Sequence, residues 1–210
     1  MICIFGGTFD PVHFGHLRPA LEVQQALGIP RVHLLPCRVP PHRDPPRLAA
    51  AQRLELLELA VQNEPVLQID RRELERDGPS WMVDTLQSLR EDIGADEPLC
   101  LALGMDALAG LAGWHRWRDI PELCHLVVMQ RPGSHWPATG EVADWLRESR
   151  VDTVVALHRA PAGSAAAVPV TQLDISSTAI RELLAAGHNA HYLLPEAVLQ
   201  RITQENWYAD

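Results

Sequence analysis

"ICIFGGTFDPVHFGHLRPALEVQQALG", residues 2–28, is the stretch that decides the fold. Ile2 to Phe5 is a short apolar run of strand type, broken by Gly6 and Gly7. From Leu17, apolar residues recur at helical spacing until Gly28 and Pro30 stop them. A strand, a turn and a helix in such quick succession are the opening unit of a parallel βα sheet. Without Cβ atoms, Gly6 and Gly7 let the backbone turn sharply and approach a ligand closely. The helix start that follows aims unpaired backbone N–H groups and a partial positive charge outward, so an anion site is expected, with phosphate its natural guest. If the helix begins near His13, then His13 and His16 project to one side of its first turn, where they can hold neighbouring oxygens. In isolation the pair would read as exposed surface histidines; the glycine turn at a strand end shifts the balance to the ligand reading. A metal pair is the other alternative, but no third ligand stands at useful spacing and a helix start favours anions.

The alternation of strand and helix signals continues along the chain. Arg31 to Cys37 is a second strand candidate, followed by "RVPPHRDPPR", Arg38 to Arg47, a rigid loop because proline lacks an amide hydrogen and fixes φ. Leu48 to Gln62 has the period of an amphipathic helix, Val66 to Asp70 reads as a strand, and Ser80 is the expected N-cap of the next helix. Within Pro98 to Leu111 an interior strand ends at Gly104 and a helix enters at Asp106. His125 to Gly133 is another strand with a basic, turn-forming end. A helix is expected around "EVADWLRES". Arg159 to Val170, rich in Ala, Pro and Gly, reads as a loose surface excursion before a late strand at "TQLDI", and two helices with start signals at Ser177 and Pro195 close the chain. In an open parallel sheet, ligands gather at the carboxyl ends of the strands where the strand order switches direction. Every unusual segment named above lies at such an end.

The 210 residues suffice for one substantial core, and 47% hydrophobic with 21% charged residues is ordinary for a globular protein. No apolar run approaches the roughly 20 residues of a membrane span, and the chain enters its first strand without a basic leader, so a cytoplasmic address is expected. Cys3, Cys37, Cys100 and Cys124 lack C-x-x-C spacing and predict buried reduced thiols rather than disulfides or a zinc site. A formal net charge of −9 argues against a nucleic-acid partner, while allowing small anions wherever a few arginines share one cleft.

The second constellation is "DISSTAIR", Asp174 to Arg181. Ser176, Ser177 and Thr178 bring hydroxyls and amides to another helix start, and Arg181 follows one turn later with a planar guanidinium suited to phosphate oxygens. By itself this is equally a capped helix with a surface arginine. Two helix-start anion sites in one strand-end cleft suggest a polyphosphate spanning two helices.

Together, "GGTFDPVHFGH" and "ISSTAIR" resemble the paired H-x-G-H and S-S-T-x-x-R signatures of the nucleotidyltransferase superfamily. A lone H-x-G-H would be a weak signal, because class I aminoacyl-tRNA synthetases carry a similar element. Within the superfamily the chain resembles the bacterial nicotinate mononucleotide adenylyltransferases over essentially its whole length, through "VPPHR", "ELERDGPSW", "DTL", "LGMDAL", "GWHRW" and "QRPG". The resemblance implies an α/β fold: a Rossmann-like, doubly wound, mainly parallel sheet with helices on both faces and C-terminal helices, in a single nucleotidyltransferase domain over residues 1–210. It implies catalytic roles for His13, His16 and Arg181, and ATP contacts from Gly6, Gly7, Thr8, Phe9, Gly104, Asp106, Ile175, Ser176, Ser177 and Thr178. It also implies nicotinate mononucleotide contacts from Arg43, Thr85, Trp114, His115 and Arg131. The expected reaction transfers the adenylyl group of ATP to the mononucleotide, with Mg²⁺ on the ATP phosphates. Two departures stand out: Trp81 and Met82 replace a Tyr and a hydroxyl residue common in the family, and Arg43 stands where many relatives have lysine. The alternatives are an adenylyltransferase preferring nicotinamide mononucleotide or phosphopantetheine, and a noncatalytic nucleotide-binding sensor.

Overall fold

A computed structural model of the chain describes residues 1–40 and 45–209. Its strands are β1 (Ile2–Gly7), β2 (Val32–Pro36), β3 (Leu67–Ile69), β4 (Leu99–Gly104), β5 (His125–Gln130) and β6 (Ala165–Pro169). They form one sheet in the order β3-β2-β1-β4-β5-β6, with every neighbouring pair parallel. The order reverses between β1 and β4, where Phe5 lies opposite Ala102. The crevice at the carboxyl ends of these two strands is therefore the topological switch point.

The helices are α1 (Phe14–Leu27), α2 (Ala50–Val61), α3 (Arg72–Glu75), α4 (Met82–Ile93), α5 (Met105–Ala109), α6 (Ile120–Leu123), α7 (Glu141–Ser149), α8 (Ser177–Ala185) and α9 (Glu196–Gln204). Strand side chains alternate between two cores because successive Cβ atoms point to opposite faces. Cys3 and Phe5 of β1, Cys100 and Ala102 of β4 and Val127 of β5 share one core with Val23 of α1, Leu56 of α2, Ile180 of α8 and Val198 of α9. Ile4, Leu101 and Leu126 share the other with Leu86 of α4, Ile120 of α6 and Leu146 of α7. Helices on both faces are what a sheet buried on both sides requires. No helix among the described residues is long and apolar enough to cross a membrane. The four cysteines are free thiols, three of them buried and Cys37 partly exposed.

Three local expectations need correction. The sixth strand lies in the alanine-rich stretch read as an excursion, and "TQLDI" is not a strand. Small side chains let Ala165 and Ala166 bury completely, whereas Thr171 leaves the sheet edge because its amide and hydroxyl donate to the Glu22 carboxylate of α1, at 2.7 and 2.6 Å. Ser80 does not cap α4, whose N-cap is Trp81; its hydroxyl accepts the Arg38 amide at 3.0 Å and anchors the segment after β2 instead. Helix α8 is capped by Ser176, one residue earlier than expected, with its hydroxyl accepting the Ala179 amide at 3.1 Å.

Candidate active site

At the end of β1 the two glycines have separate packing reasons. A Cβ on Gly7 would stand 2.8 Å from the Phe9 ring, which folds back beneath the turn, and one on Gly6 would stand 3.0 Å from Met82 Cε at the start of α4. Met82 thus packs against the turn that the sequence reading offered to a ligand. His13 is the N-cap of α1 and His16 sits one turn inside. Their rings stack, with centroids 3.7 Å apart and planes at 29°, and the Phe9 ring meets His16 edge-on at 5.1 Å. The first amides of α1 are less open than expected: the His13 amide donates to His16 Nδ1 at 3.3 Å, and Phe14 N–H donates to the Leu193 carbonyl at 3.1 Å.

His13 is only 4% exposed, and its Nδ1 is buried without a hydrogen-bond partner among the described residues. Burial, assisted by the positive charge of Arg131, holds its pKa down at about 4, so the ring is neutral at physiological pH. An unsatisfied buried ring nitrogen is costly, and in a native structure it marks a place where something is expected to bind. Gly15 makes the arrangement possible. A Cβ there would lie 2.9 Å from His13 Nδ1 and 3.0 Å from the Ile175 carbonyl oxygen, so the glycine between the histidines lets the 175–178 segment close over them.

The two motifs are tied together directly. Ser177 Oγ donates to the Pro11 carbonyl at 3.0 Å, and Arg181 Nη1 donates to the Asp10 carbonyl at 2.7 Å across 171 sequence positions. Arg181 Nη2 donates to Thr178 Oγ1 at 3.2 Å, which fixes the plane of a guanidinium still 27% exposed. On the other side of the switch point, Gly104 caps α5, and no atom of the described residues lies within 4 Å of where its Cβ would be, which leaves open space there. Asp106 is exposed in the first turn of α5, and Arg131 is exposed just beyond β5.

Trp114 is partly exposed, and His115 lies against Trp81 with ring centroids 4.7 Å apart. Trp81, a departure from the family pattern, thereby brings the start of α4 to the "GWHRW" segment. Thr85 is not brought to that surface. It is fully buried, its hydroxyl donating to Glu73 Oε1 at 2.7 Å and accepting from Arg76 Nη2 at 2.9 Å, and burial raises the Glu73 carboxyl above its ordinary range. Arg43 lies outside the described residues.

The sequence reading passed over two residues that hold the site. Asp10, 4% exposed, accepts the Arg47 amide on Oδ2 at 2.7 Å and the Leu48 amide on Oδ1 at 3.3 Å. Arg53, 1% exposed, donates to the carbonyls of Thr8 at 2.7 Å, Leu48 at 3.2 Å and Arg38 at 3.2 Å. Together they fasten the β1–α1 turn to both flanks of the proline-rich loop. Arg53 carried a readable signal, a cation on the same helical face as Leu56 and Leu57; Asp10 did not.

Known proteins resemble the chain in sequence and in fold. Residues 4–183 match the cytidylyltransferase-like family model. The chain is 48% identical over 210 residues to a probable nicotinate-nucleotide adenylyltransferase of Methylococcus capsulatus, covering all of both chains. It is 46% identical over 207 residues to one of Halorhodospira halophila, covering 99% of this chain and 94% of the relative. Its fold superposes with a TM-score of 0.73, at 16% identity and over 99% of this chain and 96% of the other, on Plasmodium falciparum nicotinic acid mononucleotide adenylyltransferase complexed with NaAD.

Proposed function

The chain belongs to the cytidylyltransferase-like family, and from that premise we propose that it transfers the adenylyl group of ATP to nicotinate mononucleotide. The products are nicotinate adenine dinucleotide, a step of NAD biosynthesis, and pyrophosphate. The observation that carries this reading is the buried Nδ1 of His13, without a hydrogen-bond partner among the described residues and stacked on His16, where the segment bearing Arg181 is tied to the β1–α1 turn. A dinucleotide-binding turn needs glycines and a helix start; it does not need two stacked imidazoles with a guanidinium tied to the same β1–α1 turn.

The mononucleotide phosphate is already an anion, so in-line attack on the α-phosphorus needs no general base. It needs alignment and neutralisation of the charge that grows on the α-phosphate and on departing pyrophosphate. His13, neutral in the free protein, gains a reason to hold a proton when phosphate oxygens arrive, because a nearby anion favours the charged ring. His16 and Arg181 complete the donor set, with Ser177 and Thr178 at the start of α8. Among the described residues no group of three or more His, Cys, Asp or Glu side chains is placed to hold a metal ion. In this reading Mg²⁺ would arrive on the ATP phosphates, where it would supply further charge neutralisation beside His13, His16 and Arg181.

Trp114 offers a flat face on which a pyridine ring would stack, with His115 and Arg131 as further mononucleotide contacts in this reading. Backbone N–H donors facing the ring's carboxylate would favour nicotinate, since a carboxamide would match them poorly. Thr85 can take part only after its hydroxyl exchanges Glu73 and Arg76 for substrate. We place the enzyme in the cytoplasm, with ATP and the mononucleotide as its partners.

The test is to mix purified protein with ATP, Mg²⁺ and either nicotinate or nicotinamide mononucleotide and to measure pyrophosphate and dinucleotide. Faster turnover of the acid is expected. Preference for the amide would shift the substrate assignment, and silence with both would leave a noncatalytic nucleotide sensor.

A further inference from the structure

We propose that Tyr208 is a positioning residue for Arg181, acting through the Asp10 carboxylate; the inference rests on the transferase reading of the site. A buried carboxylate beside a triphosphate site is electrostatically adverse, so where its charge points matters. Asp10 sits in the turn that carries His13, and Arg181 reaches it by two unequal routes. Arg181 Nη1 donates to the Asp10 main-chain carbonyl at 2.7 Å but stands 4.0 Å from the carboxylate Oδ2. The guanidinium is thus held by a neutral oxygen while its ion pair stays stretched, and its positive charge remains available to a ligand.

What keeps the carboxylate turned away is the set of donors around it. Oδ2 takes the Arg47 amide at 2.7 Å; Oδ1 takes the Leu48 amide at 3.3 Å and the Tyr208 hydroxyl at 2.6 Å. The tyrosine bond is the shortest of the three. Tyr208 comes from the segment after α9, and burial with the neighbouring Asp10 charge pushes its phenol above the ordinary range, so the hydroxyl keeps its proton and donates. Removing that hydroxyl leaves Oδ1 with one long amide bond. The carboxylate then rotates toward Arg181, closes the ion pair and draws the guanidinium off the ligand oxygens.

The experiment uses Tyr208→Phe, which keeps the ring and removes only the donor. Titration calorimetry with ATP and Mg²⁺ is expected to show about tenfold weaker affinity, and steady-state assays about tenfold lower kcat with the mononucleotide KM unchanged, the size of one hydrogen bond to a charged group. In an Arg181→Ala background the second substitution should change neither quantity, because the group it positions is gone. Irreversibly inactive protein lowers the calorimetric stoichiometry rather than the affinity, and urea melts of each variant give its folded fraction, so a loss caused by unfolding is read separately from one in the site. Equal losses in both backgrounds, or a lower melting temperature with ATP affinity and kcat intact, would overturn the inference and leave Tyr208 a packing residue. If wild-type protein makes no dinucleotide, the transferase reading fails, and the ATP-affinity comparison still decides the role of Tyr208.

Discussion

The imidazoles of His13 and His16 lie face to face with centroids 3.7 Å apart, one ring buried and the other partly exposed. Burial, with the positive charge of Arg131, keeps the deeper ring, His13, neutral at physiological pH.

His16→Ala is expected to lower kcat about 100-fold or more while leaving mononucleotide binding nearly unchanged, because its interaction with the phosphates grows in the transition state. Steady-state kinetics with both substrates varied would check this, and equal kcat values in variant and wild type would remove His16 from the chemistry.

Gly15→Ala should be destabilising even though alanine is the better helix former by about 1 kcal/mol. The added Cβ meets His13 Nδ1 at 2.9 Å and the Ile175 carbonyl at 3.0 Å, and neither group is the end of a flexible side chain. A loss of about 1 to 3 kcal/mol in urea unfolding is expected, the usual cost of overpacking, together with lower activity as the two motifs are pushed apart. A variant as stable as wild type would show that this junction is looser than its geometry indicates.

The low pKa of His13 makes stability depend on pH. Its pKa is about 4 in the native protein against 6.5 for an open ring, so between those values the unfolded chain holds a proton that the native state refuses. Stability is therefore full at neutral pH and falls as pH drops through that window, by at most about 3 kcal/mol from this group. His33 and His125, also lowered by burial, add to the same slope. His13→Gln should flatten the fall between pH 6.5 and pH 4 in urea melts; an unchanged slope would assign it to the other histidines.

Trp114→Ala should raise the mononucleotide KM, a loss of about 1 to 3 kcal/mol if the pyridine stacks on the indole, and leave ATP affinity alone. Separate titrations with each substrate distinguish this from general damage to the fold.

Much of the fold was legible because its signals are local. The β1–α1 unit, the helix at α2 and the strands β2, β4 and β5 follow from apolar period and glycine or proline punctuation, which act over a few residues. The strand β6 was not legible: alanine has little strand preference, and Ala165 and Ala166 pair with β5 because only small side chains fit that buried edge. The cap at Ser80 failed for a related reason, since its hydroxyl found the distant Arg38 amide before the local one.

By itself the sequence determined the parallel α/β class, the two histidines at one helix start and the serine-threonine-arginine run at another, because residue type and spacing suffice for each. Only the tertiary structure decided how they meet. It set the strand reversal between β1 and β4, stacked His13 on His16, buried Thr85 with Glu73, and hung Arg181 on the Asp10 carbonyl. These are contacts between segments far apart in the chain, and their geometry is fixed by packing and by the need to satisfy buried polar groups, neither of which local spacing encodes.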